Sequence, residues 1–132
     1  MSGRTILVVD DEEDILQFLR MVLGERGYRV LTAAGGEDAL TQAQMHRPDL
    51  ILLDVMMPDM DGWEVLKVLR SDEDTAGLPV AMLSARSEAR DRMQGLREGA
   101  ADYVCKPFSL DELFAKIEAI IGPGEGGGKA GR

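Results

Sequence analysis

Ile6-Leu7-Val8-Val9-Asp10-Asp11 is a short apolar run that breaks on two acids. Leu50-Ile51-Leu52-Leu53-Asp54 repeats the pattern with one acid, and Tyr103-Val104-Cys105-Lys106-Pro107 repeats it with a lysine. Apolar runs this short, bounded by polar residues, read as strands of a parallel sheet buried on both faces. Ligands of an open α/β sheet bind outside the carboxyl ends of its strands, near the point where strand order reverses. The three breaks therefore predict one small site holding three carboxylates and one ammonium. That set suits a divalent cation, a phosphoryl group and an aspartate nucleophile.

Working outward, strand-like runs alternate with amphipathic helical stretches. Strands are predicted at Thr5–Val9, Tyr28–Thr32, Asp49–Leu53, Pro79–Leu83 and Ala101–Cys105. Ile15, Phe18, Leu19 and Val22 recur at helical spacing before Gly27, and a second helix covers Glu37–His46 ahead of Pro48. Trp63, Leu66 and Leu69 mark a third helix and Ser87–Glu98 a fourth, stopped at Gly99. Leu110, Leu113, Phe114, Ile117, Ile120 and Ile121 form the clearest apolar stripe, with Ser109 and Glu112 placed as a capping box. Such alternation predicts an α/β fold with a parallel sheet and right-handed crossovers. From Gly122 onward the composition turns glycine-rich, and residues 122–132 are expected to form a flexible tail or linker. The G-x-G-x-x-G match there follows a helix instead of joining a strand to one, so it carries no nucleotide-binding meaning.

At 132 residues the chain fits one domain, and 24 acids against 15 bases leave a net charge of −9. That balance disfavours direct nucleic-acid binding and docking to anionic membranes, both of which need a basic surface. No stretch approaches the ~20 apolar residues of a membrane span. The single cysteine, Cys105, forms no intrachain disulfide, and Met1–Arg4 leaves no room for a signal peptide. The expectation is a cytoplasmic protein.

Adjacent carboxylates at a strand end resist ionising together, and a hard dication resolves the conflict. Magnesium takes oxygen ligands, commonly one or two carboxylates with waters and phosphate oxygens, so Asp10, Asp11 and Asp54 are its candidate ligands. Lys106 is placed to neutralise a transferred phosphoryl group, and Ser84 to hydrogen-bond one of its oxygens. Asp59 and Asp61 read as turn and cap residues. An EF-hand reading of their loop fails, because Met57 and Val68 occupy the first and twelfth ligand positions. His46 reads as an exposed helix-end residue and Trp63 as part of a helix packing face.

These residues carry a resemblance. Val8-Val9-Asp10-Asp11-Glu12, Leu52-Leu53-Asp54-Val55-Met56-Met57-Pro58-Asp59-Met60-Asp61-Gly62, Leu83-Ser84-Ala85-Arg86 and Gly99-Ala100-Ala101-Asp102-Tyr103-Val104-Cys105-Lys106-Pro107-Phe108 resemble the receiver domain of bacterial two-component response regulators. The resemblance covers Thr5 to Ile121, with every motif in order and at the family's spacing. It implies a single doubly wound, flavodoxin-like (βα)5 domain over residues 1–121, with its five-stranded parallel sheet in order 2-1-3-4-5. By the same resemblance Asp54 is the phosphoacceptor, taking a phosphoryl group from a sensor histidine kinase or histidine phosphotransfer protein. Asp10 and Asp11 hold Mg²⁺, with Asp54 and the main-chain carbonyl of Met56 completing the protein ligands. Lys106 pairs with the phosphoryl group, Ser84 moves toward it, and Tyr103 turns inward when Ser84 moves. The Lys106–Pro107 peptide is expected to be cis, while Met56 and Arg86 occupy the family's variable positions beside the phosphorylation site.

The implied role is a signalling phosphoprotein limited to self-phosphorylation and slow autodephosphorylation. Its output face would be the fourth predicted helix, the fifth strand and the fifth helix. Gln94, Ala101 and Lys116 depart from the salt-bridge residues of receivers that dimerise through that face. The expected state is thus a monomer or a weak, phosphorylation-dependent homodimer. Downstream, either a separate effector protein or an attached output domain receives the signal, and the receiver is then stand-alone or part of a longer regulator or hybrid kinase. A small Mg²⁺-dependent phosphohydrolase is the alternative class. It usually wants a second acid two positions after the nucleophile, where this chain has Met56.

Overall fold

In a computed structural model, residues 3–84, 97 and 99–124 are described. The strands β1 (Thr5–Val9), β2 (Arg29–Ala33), β3 (Leu50–Asp54), β4 (Val80–Ser84) and β5 (Asp102–Cys105) form one sheet. All pairings are parallel, in the order β2-β1-β3-β4-β5. The described helices are α1 (Glu13–Glu25), α2 (Gly36–His46), α3 (Gly62–Ser71) and α4 (Leu110–Ile121). Of the helix expected over 87–98 only residue 97 is described, as helical, and Arg86 and the departure at Gln94 lie outside the described residues.

The central strands β1, β3 and β4 carry unbroken apolar runs because both faces of the sheet are covered there. Leu7, Val9, Ile51, Leu53, Val80, Met82 and Tyr103 point to the face of α2 and α3. Ile6, Val8, Leu50, Leu52, Ala81, Leu83 and Val104 alternate onto the face of α1 and α4. Trp63 packs half-buried against the first cluster, and His46 ends α2 exposed.

Three strands sit one residue later than the sequence predicts, and β5 begins one later. The polar residues at the expected starts do other work. Asp49 accepts the Thr5 N–H at 2.7 Å, and the Tyr28 hydroxyl donates to the Gly122 carbonyl at 2.8 Å. At the other end, the ladder extends past the apolar residues, since Val55 N–H still donates to the Leu83 carbonyl. Asp54 and Ser84 are therefore the last residues of their strands, and both are buried.

Helix starts depend on side chains that satisfy orphaned amides. Asp61 and Glu64 form a complete capping box at α3. The box expected from Ser109 and Glu112 forms only by half, with Ser109 Oγ accepting the Glu112 N–H at 3.0 Å. The tail expected from Gly122 is not free at its beginning. Gly122 accepts from Tyr28, and Gly124 is buried where a Cβ would strike the Arg26 carbonyl. Residues 125–132 lie outside the described residues.

Candidate phosphoryl-transfer site

Parallel pairing in this order places Val9 beside Leu53, Asp54 beside Leu83, and Ser84 beside Cys105. The residues that end or follow these strands thus meet at one edge of the sheet. Asp10 and Asp54 are buried, while Asp11 is exposed. Each of the three offers a carboxylate oxygen within 4.8 Å of the other two. Lys106 Nζ reaches Asp10 Oδ2 at 3.0 Å and Asp54 Oδ1 at 3.3 Å. Asp10 Oδ1 accepts the N–H of Glu12, the N-cap residue of α1, at 2.9 Å.

Among the described residues, one ammonium meets three carboxylates there. Burial and the neighbouring Asp10 charge raise the Asp54 pKa to about 6, against the opposing pull of Lys106 and of the nearby Met56 backbone. For Lys106, burial acts to lower the pKa, but the hydrogen bond to Asp10 and the charges of Asp54 and Asp10 outweigh it. The net shift is upward. An all-oxygen donor set with excess negative charge fits a hard cation such as Mg²⁺.

Ser84 ends β4, and its carbonyl accepts the Lys106 N–H. The Lys106–Pro107 peptide is cis. Tyr103 is buried in the core cluster on the α2–α3 face. Met56 sits beside Asp54 with its side chain out in solvent, at 70% exposure. Cys105 is half-buried, more open than a core residue. Lys116 Nζ is held by the Tyr103 carbonyl at 2.8 Å and Asp102 Oδ1 at 3.3 Å.

Residues 6–118 match the family described as the response regulator receiver domain. This chain belongs to that family. The receiver is 48% identical over 119 residues to the alkaline phosphatase synthesis transcriptional regulatory protein PhoP of Bacillus subtilis, covering 90% of this chain and 49% of that protein. It is 42% identical over 128 residues to the phosphate regulon transcriptional regulatory protein PhoB of Pseudomonas aeruginosa, covering 95% and 56%. The solved chemotaxis protein CheY4 of Vibrio cholerae superposes with a TM-score of 0.85 at 34% identity, covering 90% of this chain and 99% of that one. The receiver spans about half the length of the curated relatives it matches. Among the described residues, no helix is long and apolar enough to cross a membrane.

Two features of the site were not foreseen. Gly62 opens α3 directly against the Asp54 carbonyl, where a Cβ would collide with backbone. Asp59, expected only as a turn or cap residue, accepts the N–H of Gly36 across the fold at 3.1 Å. The paired glycines Gly35-Gly36 at a helix start are the sequence signal for this, because neither supplies a cap of its own.

Proposed function

We propose that this receiver domain is a phospho-accepting switch of a two-component system, with Asp54 as its phosphoacceptor. The Lys106 ammonium shared between buried Asp10 and buried Asp54 is the observation that carries the reading. A carboxylate oxygen of Asp54 forms the new bond to phosphorus. The bond from phosphorus to the histidine nitrogen of a sensor kinase or phosphotransfer protein breaks, and the imidazole leaves with the electron pair. Lys106 then turns from a carboxylate partner into the counter-charge of the bound phosphoryl oxygens. Asp10, Asp11, Asp54 and the Met56 carbonyl would hold Mg²⁺, which when bound supplies charge neutralisation for transfer.

Ser84 would then hydrogen-bond the phosphoryl group, and Tyr103 would respond on the strand beside it. The face around β5 and α4, with the segment 87–98, is the output surface in this reading. Self-phosphorylation and slow autodephosphorylation are the only chemistry proposed. Residues 1–121 form the receiver, and 122–132 a linker whose first residues are tied to Tyr28 and Arg26. The protein would act in the cytoplasm without contacting nucleic acid itself, since its net charge of −9 supplies no attraction to phosphates. The match to about half of each curated relative supports a second arrangement, in which the receiver is part of a longer regulator.

The test is labelling with a small phosphodonor in the presence of Mg²⁺. The expected product is a single acid-stable, base-labile adduct that Asp54→Asn abolishes. No adduct on the wild type, or equal labelling of Asp54→Asn, would overturn the assignment. Turnover of generic phosphate esters would favour the hydrolase instead.

A further inference from the structure

Helix α2 begins at Gly36 behind an N-cap, Gly35, that has no side chain to offer its first amides. The missing cap comes from another part of the chain. Asp59 Oδ2 accepts the Gly36 N–H at 3.1 Å, 23 residues away in sequence. A carboxylate is the favoured group there, because the amides and dipole at a helix start carry partial positive charge.

Close approach makes the bond possible. A Cβ on Gly35 would stand 3.0 Å from Asp59 Oδ2, and one on Gly36 would stand 2.8 Å from Met60 Cβ. Both glycines are thus occupied by the tip of the β3–α3 loop. The other end of that loop is closed by Gly62, whose N–H donates to the Val55 carbonyl at 2.9 Å. Between the two fastenings lies Met56, whose main chain follows directly on Asp54 and Val55 at the end of β3.

We infer that Asp59 is a positioning residue: by capping α2 it holds the main chain at Met56 in register with Asp54. This inference rests on the metal-binding reading of the site and assigns Asp59 no contact with the metal. The carboxylate acts at the Gly36 amide, and its effect reaches the site through the three-residue path back to Met56.

The test separates positioning from simple helix capping. Mg²⁺ alone is titrated by calorimetry into the wild type, Asp59→Ala, Asp59→Asn and the double variant Gly35→Ser with Asp59→Ala. Thermal midpoints and amide exchange at Gly36 and Met56 are read on the same proteins. Gly35 has extended backbone (φ −164°), so serine fits there and caps α2 locally once Asp59 is truncated. Asp59→Ala should weaken Mg²⁺ binding about tenfold, the lower range for loss of an outer supporting contact, and speed exchange at both amides. Asp59→Asn keeps an acceptor oxygen and should stay near wild type. The double variant should regain thermal stability while its Mg²⁺ affinity and Met56 exchange stay impaired. Recovery of all three together, or Mg²⁺ affinity within about twofold of wild type in Asp59→Ala, would reduce Asp59 to a cap and overturn the inference. Absence of Mg²⁺ binding by the wild type is a separate result, and it would remove the metal-site reading itself.

Discussion

Lys106 Nζ lies 3.3 Å from Asp54 Oδ1 across 52 residues of sequence, and the same ammonium reaches Asp10 at 3.0 Å. One cation thus serves two buried acids, with Asp11 close by. The crowded acids carry a stability cost in the resting protein, and a bound dication would relieve it.

Asp54→Asn measures it directly. The Asp54 pKa rises from the ordinary 3.8 to about 6 on folding, chiefly through burial and the Asp10 charge. The folded state then binds the proton more tightly than the unfolded chain, so stability falls as pH climbs from about 4 to about 6. Above that window the ionised native state carries a penalty of roughly 3 kcal/mol. Asp54→Asn should therefore be more stable than wild type by about 1–3 kcal/mol at pH 7.5 in metal-free buffer. The gain should vanish below about pH 4 and shrink when Mg²⁺ is added. Urea denaturation across pH checks all three points, and a pH-independent difference would contradict the electrostatic origin.

Lys106→Met should act in the opposite direction. It leaves fully buried Asp10 facing Asp54 with no cation between them. Breaking such a pair from one side is expected to cost about 2–4 kcal/mol at neutral pH. Because the Lys106 pKa is raised, its pairing operates throughout the neutral range and is lost only above the ordinary lysine pKa. Mg²⁺ should restore part of the lost stability without restoring phosphodonor labelling. Melts with and without Mg²⁺, alongside the labelling assay, separate these effects.

Much of this was legible from the chain. The acids and the lysine lie where apolar strands stop, and stopping points of parallel strands converge whatever the loops do. Strand limits were less legible, because Asp54 and Ser84 look like loop residues by polarity yet stay in the ladder. Only pairing with a neighbouring strand decides that. The contacts of Asp59 with Gly36 and of Gly62 with Asp54 depend on how a loop folds back on the sheet. Periodicity does not encode that, although glycine pairs at a helix start hint at it.

We propose that Met56 prolongs the lifetime of the phosphorylated state. Its side chain is largely exposed beside Asp54 and offers no group that orients water for attack on phosphorus. Met56→Asn adds an amide at that position and should speed aspartyl-phosphate decay severalfold. Loss of label is followed over time after the donor is removed. Equal or slower decay in Met56→Asn would end this explanation.

Gly62→Ala probes the seat of Asp54 through its main chain. Alanine is favoured over glycine inside a helix by up to about 1 kcal/mol, so propensity alone predicts a gain. Space predicts a loss, because the new Cβ would collide with the Asp54 carbonyl and lie 2.9 Å from Val55 Cα. Both are backbone atoms at the end of a central strand, and neither can swing aside as a flexible side chain would. Overpacking of this kind costs about 1–3 kcal/mol, which outweighs the propensity term. Gly24, near the end of α1, is the control, since a Cβ there meets nothing within 4 Å. Gly24→Ala should stabilise by about 0.5 kcal/mol, whereas Gly62→Ala should destabilise and weaken Mg²⁺ binding with it. Denaturation midpoints of the two variants, measured side by side, decide the matter: equal gains would mean that α3 does not press on the strand that presents Asp54.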